Sequence, residues 1–145
     1  MILKDSKIFI AGHKGMVGSA IWNTLLKKGY SNLLGKTSKE LDLRNQFDVD
    51  AFFSIENPKV VIDAAARVGG IMANKTYPYQ FLMDNMKIQN NLIDSSLKYN
   101  CEKFIFLGSS CIYPKFSPSQ SRRNTCLLPN WSKQMKLMLL QKFPE

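Results

Sequence analysis

The sequence predicts an α/β protein built on a partial, doubly wound parallel sheet of about four strands, and three observations support this prediction. Short apolar segments with a β-branched bias recur along the first 108 residues. Segments with the apolar spacing of helices alternate with them, which is typical of parallel sheets with right-handed crossovers. A chain of 145 residues, 45% hydrophobic and 21% charged, has the size and composition of one soluble globular domain.

The elements follow one another in regular order. A strand is predicted over residues 7–11, and a helix leads from the glycines after it to a stop at Gly29. A second strand over 31–36, a helix over 46–55 and a third strand over 60–66 come next, followed by a long helix over 79–99 and a fourth strand over 103–108. The long helix carries on one face Leu82, Met86, Gln89, Ile93 and Leu97.

The turn after the first strand has glycines at 12, 15 and 18, spaced G-x-x-G-x-x-G. Between a strand and a helix this spacing indicates dinucleotide binding: Gly12 permits a tight turn, Gly15 admits a pyrophosphate, and Gly18 allows close packing of helix on strand. The helix N-terminus adds a favourable field for the anion. The alternative is a purely structural turn. The predicted cofactor-binding residues here are Gly12, His13, Lys14, Gly15, Met16, Val17 and Gly18.

The residues after the second strand distinguish between the two nicotinamide dinucleotides. An acid there commonly holds the ribose 2′-hydroxyl of NAD. After its second strand this chain has no acid until Glu40. Lys36, together with Lys14 from the glycine turn, is instead suited to a 2′-phosphate. NADP is therefore the predicted cofactor, the alternative being two solvated surface lysines.

The net charge, the distribution of apolar residues and the cysteines limit the classes of binding partner and site that the sequence predicts. The net charge of +9 divides into +5 over residues 1–116 and +4 over residues 117–145. A basic surface of this kind permits binding to a polyanion, but scattered lysines on a soluble domain are the simpler explanation, so no nucleic-acid partner is expected. No run of about 18 apolar residues predicts a membrane span. Three cysteines without metal-ligand spacing indicate reduced thiols, a cytoplasmic location and no metal site.

Four segments of the chain carry a resemblance to a known family. They are residues 9–21 (FIAGHKGMVGSAI), 64–71 (AAARVGGI), 74–78 (NKTYP) and 108–115 (GSSCIYPK). Together they resemble the extended short-chain dehydrogenases/reductases that act on nucleotide sugars, and more narrowly the GDP-L-fucose synthases. The resemblance covers residues 7 to about 116. It implies a Rossmann domain and NADP-dependent conversion of GDP-4-keto-6-deoxy-D-mannose to GDP-L-fucose, by epimerisation and then reduction.

The resemblance also implies roles for individual residues. Ser109 would hydrogen-bond the keto oxygen of the GDP-linked sugar, and Cys111 would be the base that epimerises the carbons beside the ketone. A thiol whose pKa is lowered near a cation suits that task. Leu107, Gly108, Ser109 and Ser110 would border the nicotinamide. Homodimers form in the family, in which the second face of the long helix meets its counterpart.

The family's Tyr-x-x-x-Lys pair, which donates and steers the proton of the hydride step, is absent, because no tyrosine follows Tyr113 in these 145 residues. Nor does the single histidine, His13, match the family's acid, which comes later in the chain. The C-terminal substrate domain is missing too, so we expect little or no turnover from this chain alone. The alternatives are a non-catalytic NADP-binding module and another nucleotide-sugar epimerase or dehydratase.

Residues 117–145 do not resemble the family, and a shifted reading frame accounts for them. The junction of Asn130 and Trp131 must then encode Leu, and that of Met135 and Lys136 must encode Glu. With permitted codons the shifted frame reads Y-A-I-A-K, which resembles the missing Tyr-x-x-x-Lys site. We therefore expect an incomplete NAD(P)-binding domain over 1–116 and a frameshifted basic tail over 117–145. A natural basic tail, with a helix from 131 to 142 that binds a membrane or partner, is the alternative.

Overall fold

A computed structural model of the chain describes residues 2–108. The elements of this part, in chain order, are β1 (Ile8–Ala11), α1 (Met16–Lys27), β2 (Leu33–Leu34), α2 (Gln46–Glu56), β3 (Val60–Asp63), α3 (Ile71–Thr76), α4 (Pro78–Lys98) and β4 (Lys103–Phe106). They group into two compact units. The first holds residues 2–67 and 84–107, and the described part of the second holds residues 68–83 and Gly108.

The four strands form one parallel sheet in the order β2-β1-β3-β4, which confirms the predicted fold class. The chain moves outward from β1 to β2 and then returns to the other side of β1 with β3. In sheets wound in this way, ligands bind at the carboxyl ends of the strands where the order reverses. The end of β1, beside the end of β3, is therefore the place at which to look for a site.

The sheet is covered on both faces, because side chains on successive strand residues point to opposite sides. Phe9, Ala11 and Val61 face the helices α2 and α4, where Phe9 lies 4.7 Å from Phe52 between ring centroids. The opposite face carries the cluster Ile8, Ile10, Val60 and Ile62, against which Ile21, Trp22 and Leu25 of α1 pack. Every residue of β1 and β3 is buried. This explains why each strand is an apolar run in the sequence, closed in β3 by Asp63.

Local signals set the ends of the helices. The Asn45 side chain caps α2 by accepting a hydrogen bond from the backbone N–H of Phe47, at 3.1 Å. Asn57 ends the same helix in the left-handed region, with φ of 44°. Gly29 likewise has a left-handed backbone conformation just after α1, with φ of 81°.

Three details differ from the sequence-based expectations. The second strand is only two residues long, because β1 pairs with it over Ile8 and Phe9 alone and the chain then leaves the sheet at Gly35. The short helix α3 was not predicted. On α4 the predicted face is packed only in part: Gln89 is buried, but Ile93 and Leu97 are exposed. The buried residues toward the end of the helix are instead Leu92, Ser95 and Ser96. Small polar residues on the packed side hid the true apolar period.

The described part of the second unit is held together by local contacts. Asn74 of α3 donates hydrogen bonds to the carbonyl oxygens of Gly69 and Gly70, at 2.8 and 3.1 Å. Phe81 is buried, and a side chain at Gly69 would meet its ring. Within residues 2–108, no helix has the length and apolarity that crossing a membrane requires.

Candidate cofactor site

The glycine turn fits against the end of β3 without room for side chains. Gly12 has φ of +76°, and a Cβ there would lie 2.7 Å from the carbonyl oxygen of Ala64, a backbone atom. A Cβ at Gly18 would overlap the Gly12 carbonyl group, so α1 can begin this close to β1 only with glycine at 18. The N–H of Gly15 donates to the Gly12 oxygen at 2.9 Å and closes the turn.

The first turn of α1 is open to an anion. Gly15 occupies the N-cap position, no side chain caps the helix, and no acidic residue lies in its first turn. Met16 is 88% exposed and Val17 about half exposed, so neither covers the helix end. The terminal N–H groups and the helix dipole together favour a phosphate group at this position.

The chain leaving β2 lies against the same turn. A side chain at Gly35 would overlap the imidazole of His13. The His13 ring is tilted by 43° to the ring of Trp22 on α1, with 5.5 Å between the ring centroids. His13 therefore forms the contact between the glycine turn and the exit of β2. Its role at the cofactor stays a prediction.

The two lysines predicted to select NADP lie around a single carboxylate. The Glu40 side chain accepts hydrogen bonds from the Thr37 hydroxyl at 2.6 Å and the Thr37 N–H at 2.8 Å. These bonds lower the pKa of Glu40, and the charges of Lys36 and Lys14 lower it further. Both lysines are exposed, and both are within electrostatic reach of the Glu40 carboxylate.

Sequence reasoning missed the acid at the end of β3. Asp63 is only 2% exposed; its Oδ1 accepts a hydrogen bond from the Ala65 N–H at 3.0 Å, and its Oδ2 has no partner within residues 2–108. Burial raises the pKa of Asp63 to about 6. The sequence did contain a signal for this residue, because Asp63 is an acid directly at the end of the apolar run Val60-Val61-Ile62.

Sequence reasoning also missed a polar cluster between the loops and α4. Asp84 accepts a hydrogen bond from Arg67 at 2.7 Å, and Arg44 reaches the same carboxylate at 3.6 Å. The side chain of Asn85 bonds both the N–H and the carbonyl of Arg67, at 2.6 and 3.0 Å. These residues come from three separate segments, and no spacing in the sequence relates them.

The structure places the predicted site residues as follows. The turn from Gly12 to Gly18 and Lys36 come together around the end of β1. Leu107 extends the pairing of β4, since its N–H donates to the Asp63 carbonyl at 3.2 Å, and Gly108 is the last described residue. Ser109, Ser110 and Cys111 lie outside the described residues. No group of three or more potential metal ligands occurs among residues 2–108.

Comparison with known proteins identifies close relatives. The profile of the NAD dependent epimerase/dehydratase family matches residues 8–134. GDP-L-fucose synthase 1 of Arabidopsis thaliana is 56% identical over 115 residues, which make up 79% of this chain and 36% of that protein. The GDP-L-fucose synthase of Escherichia coli K12 is 46% identical over 115 residues, with the same two shares.

A solved structure shares the fold. It is MlghC, a GDP-mannoheptose C4 reductase from Campylobacter jejuni with NADP bound, with a TM-score of 0.89 and 34% identity over 97% of this chain and 46% of that one. The chain thus spans a little over a third of the length of the curated relatives given above.

Proposed function

Because this chain belongs to the NAD dependent epimerase/dehydratase family, we propose that it is the cofactor-binding part of a GDP-L-fucose synthase, an NADP-dependent oxidoreductase and epimerase. The glycine turn carries this proposal. Its backbone approaches Ala64 so closely that only glycine is tolerated at Gly12, and it leaves the start of α1 uncapped. This is the geometry that a pyrophosphate requires.

The residues present fit NADP. Backbone N–H groups from Gly12 to Gly18 would hold the pyrophosphate, and Lys14 and Lys36 would pair with the 2′-phosphate. The first acid after β2, Glu40, accepts both hydrogen bonds from Thr37 on one carboxylate oxygen, Oε2, so this oxygen is already occupied. When bound in its reduced form, NADPH, the cofactor would supply a hydride to a ketone. The substrate proposed for the complete enzyme is GDP-4-keto-6-deoxy-D-mannose, and the product is GDP-L-fucose.

Ser109 and Cys111 are the proposed catalytic residues in this chain, by resemblance to the family. Ser109 would donate a hydrogen bond to the sugar's keto oxygen. The Cys111 thiolate would remove a proton from each carbon beside that ketone. Inversion would follow when the family's acid, a histidine later in the chain, returns a proton to the opposite face. Leu107, Gly108 and Ser110 would line the nicotinamide side.

Cofactor binding is tested by titrating the 145-residue chain with NADPH and with NADH, following nucleotide fluorescence. We expect saturable binding with preference for NADPH, which Lys36→Ala should weaken by roughly tenfold through loss of one charge-assisted contact. Lys27→Ala removes the same charge at the opposite end of α1 and is the matched control. Equal affinity for both nucleotides would contradict the assignment of Lys36.

Turnover is a separate question, because no Tyr-x-x-x-Lys pair follows Ser109 in these 145 residues. We propose that the chain binds NADP without reducing substrate. Incubation of the purified chain with NADPH and GDP-4-keto-6-deoxy-D-mannose should yield no GDP-L-fucose by chromatography. Formation of that product at a rate proportional to the amount of chain would show that the pair is dispensable.

We propose that residues 117–145 arise from a shifted reading frame. Sequencing the coding DNA and its transcript tests this directly. A one-base change that restores Y-A-I-A-K and a long open frame is the expected result. If no such change restores that frame, the segment is a natural basic tail.

We further propose that the complete enzyme is a cytoplasmic homodimer in which α4 contributes to the interface. Ile93 and Leu97 on α4 are exposed in this chain and are the side chains that such an interface would cover. Light scattering on the full-length enzyme and on its Leu97→Asp variant tests the dimer. The variant should shift toward the monomer mass.

A further inference from the structure

Two chain segments that leave the sheet beside the glycine turn meet at one carboxylate. One leaves β2 at Gly35, against His13, and reaches Arg44. The other leaves β3 with the Ala64 backbone against Gly12 and reaches Arg67. The guanidinium groups of Arg44 and Arg67 then approach the same oxygen, Oδ2 of Asp84 on α4, at 3.6 and 2.7 Å.

Each of the two segments is fixed by further bonds near its arginine. Arg44 binds the Asp42 carboxylate through two nitrogens, both at 2.9 Å. The backbone of Arg67 is held on both its N–H and its carbonyl by Asn85. The Asp84 side chain is 17% exposed, against 49% and 43% for Arg44 and Arg67, so the carboxylate is the enclosed centre of the cluster.

The contacts therefore close a ring. It runs from the glycine turn along the exit of β2 to Arg44, across Asp84 to Arg67, and back along the exit of β3 to Ala64. The ring includes the segments that leave the carboxyl ends of β1, β2 and β3, and in sheets of this kind a dinucleotide binds at those ends of the strands. Loops that are ordered before binding cost less free energy to occupy than loops ordered by the ligand.

We propose that Asp84 is a positioning residue that holds these two segments at the spacing required by the adenosine half of a phosphorylated dinucleotide. The inference rests on the proposed function, since it assumes that the dinucleotide binds at the glycine turn. Asp84 acts through Arg44 and Arg67 rather than by touching the ligand.

Electrostatics alone predict the opposite effect, which makes the role testable. NADPH is strongly anionic, so removing any acid near its site should tighten binding by reducing repulsion. A positioning role predicts weaker binding when Asp84 is removed, although the net charge becomes more favourable. The sign of the change in affinity therefore separates the two.

The experiment compares NADPH dissociation constants, from fluorescence titration, for the 145-residue chain and its variants Asp84→Ala and Asp84→Asn. The control is Asp94→Ala, which removes an exposed acid from the same helix. We expect weakening on the order of three- to tenfold for Asp84→Ala, less for the isosteric Asp84→Asn, and unchanged or slightly tighter binding for the control. In an Arg44→Met/Arg67→Met background, Asp84→Ala should have little further effect, because its partners are gone.

The outcomes are distinct. No saturable binding to the unmodified chain would refute the proposed function itself. Binding to the unmodified chain, with both Asp84 variants equal or tighter, would refute only the positioning role. Urea unfolding of each variant shows whether it is folded. If neither Asp84 variant folds, Asp84 serves stability and the positioning role is overturned.

Discussion

At the scale of single residues, two glycines share a left-handed backbone conformation but differ in how close their neighbours lie. Gly12 and Gly29 both have positive φ, at 76° and 81°. A Cβ at Gly29 would meet nothing within 4 Å, whereas one at Gly12 would meet the backbone of Ala64 and Ala65. The two positions therefore have the same backbone conformation, but only Gly12 lies in close contact with another segment of the chain.

Gly12→Ala is therefore expected to destabilise the chain more than Gly29→Ala. Left-handed strain alone should cost about 1–2 kcal/mol at either site. At Gly12 the clash with backbone atoms adds about as much again, and NADPH binding should be lost because the turn must move. Urea denaturation and NADPH titration measure the two effects. Equal losses of stability in both variants would mean that the turn and the end of β3 are not in contact.

Asp63 predicts a dependence of stability on pH. Its pKa is raised from 3.8 to about 6 by burial, so the folded chain holds this proton more tightly than the unfolded chain. Its contribution is therefore fully present below pH 3.8 and is lost as the pH rises through about 6. Asp63→Asn, which cannot ionise, should be more stable than the unmodified chain at pH 8, by up to about 3 kcal/mol.

Urea unfolding of the Asp63→Asn variant and the unmodified chain between pH 4 and pH 8 measures that difference. It should grow up to about pH 6 and then level off. The exposed Asp5, changed to Asn in the same way, provides the control for the loss of a surface carboxylate. A flat difference for Asp63→Asn would mean that its carboxyl is solvated in the folded chain.

At the scale of elements, α2 and α4 are joined through one carboxylate. Asp50 of α2 accepts hydrogen bonds from the buried Ser95 hydroxyl at 2.6 Å and from Gln46 at 3.0 Å on one oxygen. Its other oxygen accepts from Lys98 at 2.8 Å, and these bonds lower the pKa of Asp50. The ammonium of Lys98 is largely solvated, whereas Ser95 is fully enclosed.

The pairing with Ser95 should therefore contribute more to stability than the pairing with Lys98. Asp50→Ala leaves a buried hydroxyl with fewer partners and is expected to cost about 1–3 kcal/mol. Lys98→Met should cost less than about 1 kcal/mol, as for exposed ion pairs. Thermal denaturation checks both, and in the double variant Asp50→Ala/Ser95→Ala the cost should be smaller than the sum of the two single costs. Strict additivity would indicate that the two side chains do not interact.

The elements also show how far the sequence alone could lead. β1, α1 and β3 were predictable, because unbroken burial and helical spacing leave a direct trace in the residue order. The length of β2 was not predictable, since it depends on the contact between Gly35 and the His13 side chain. The packed face of α4 was hidden by two buried polar residues, Ser96 and Ser95, of which Ser95 hydrogen-bonds Asp50 of α2.

The candidate site divides in the same way. Its three glycines lie close together in the sequence with a fixed spacing, so the turn could be recognised directly, and Lys36 was found from its place after the second strand. Asp84, Arg44 and Arg67 are brought together only by the crossover of β3 and the start of α4, and each by itself resembles a solvated charge. The ring they form is a property of the tertiary fold and leaves no local pattern.

At the scale of the whole molecule, binding of NADP and binding of a polyanion to the basic surface make different demands on folding. A dinucleotide held by the glycine turn, the exit of β2 and the exit of β3 binds only the folded chain, so it must stabilise that state. A polyanion attracted by a net charge of +9 interacts with folded and unfolded chain alike, and its affinity falls steeply with salt.

We therefore expect NADPH at one hundred times its dissociation constant to raise the free energy of unfolding by about 2.7 kcal/mol, with the rise following the logarithm of its concentration. Chemical denaturation at fixed ionic strength across a series of NADPH concentrations measures this. NADH at the same concentrations should stabilise less, because Lys14 and Lys36 then lack a 2′-phosphate to pair with. Duplex DNA should stabilise little, and its effect should vanish as salt rises. If NADPH and DNA stabilised the chain alike and lost their effect together in salt, general charge would explain both, and the glycine turn would be a structural corner of the sheet.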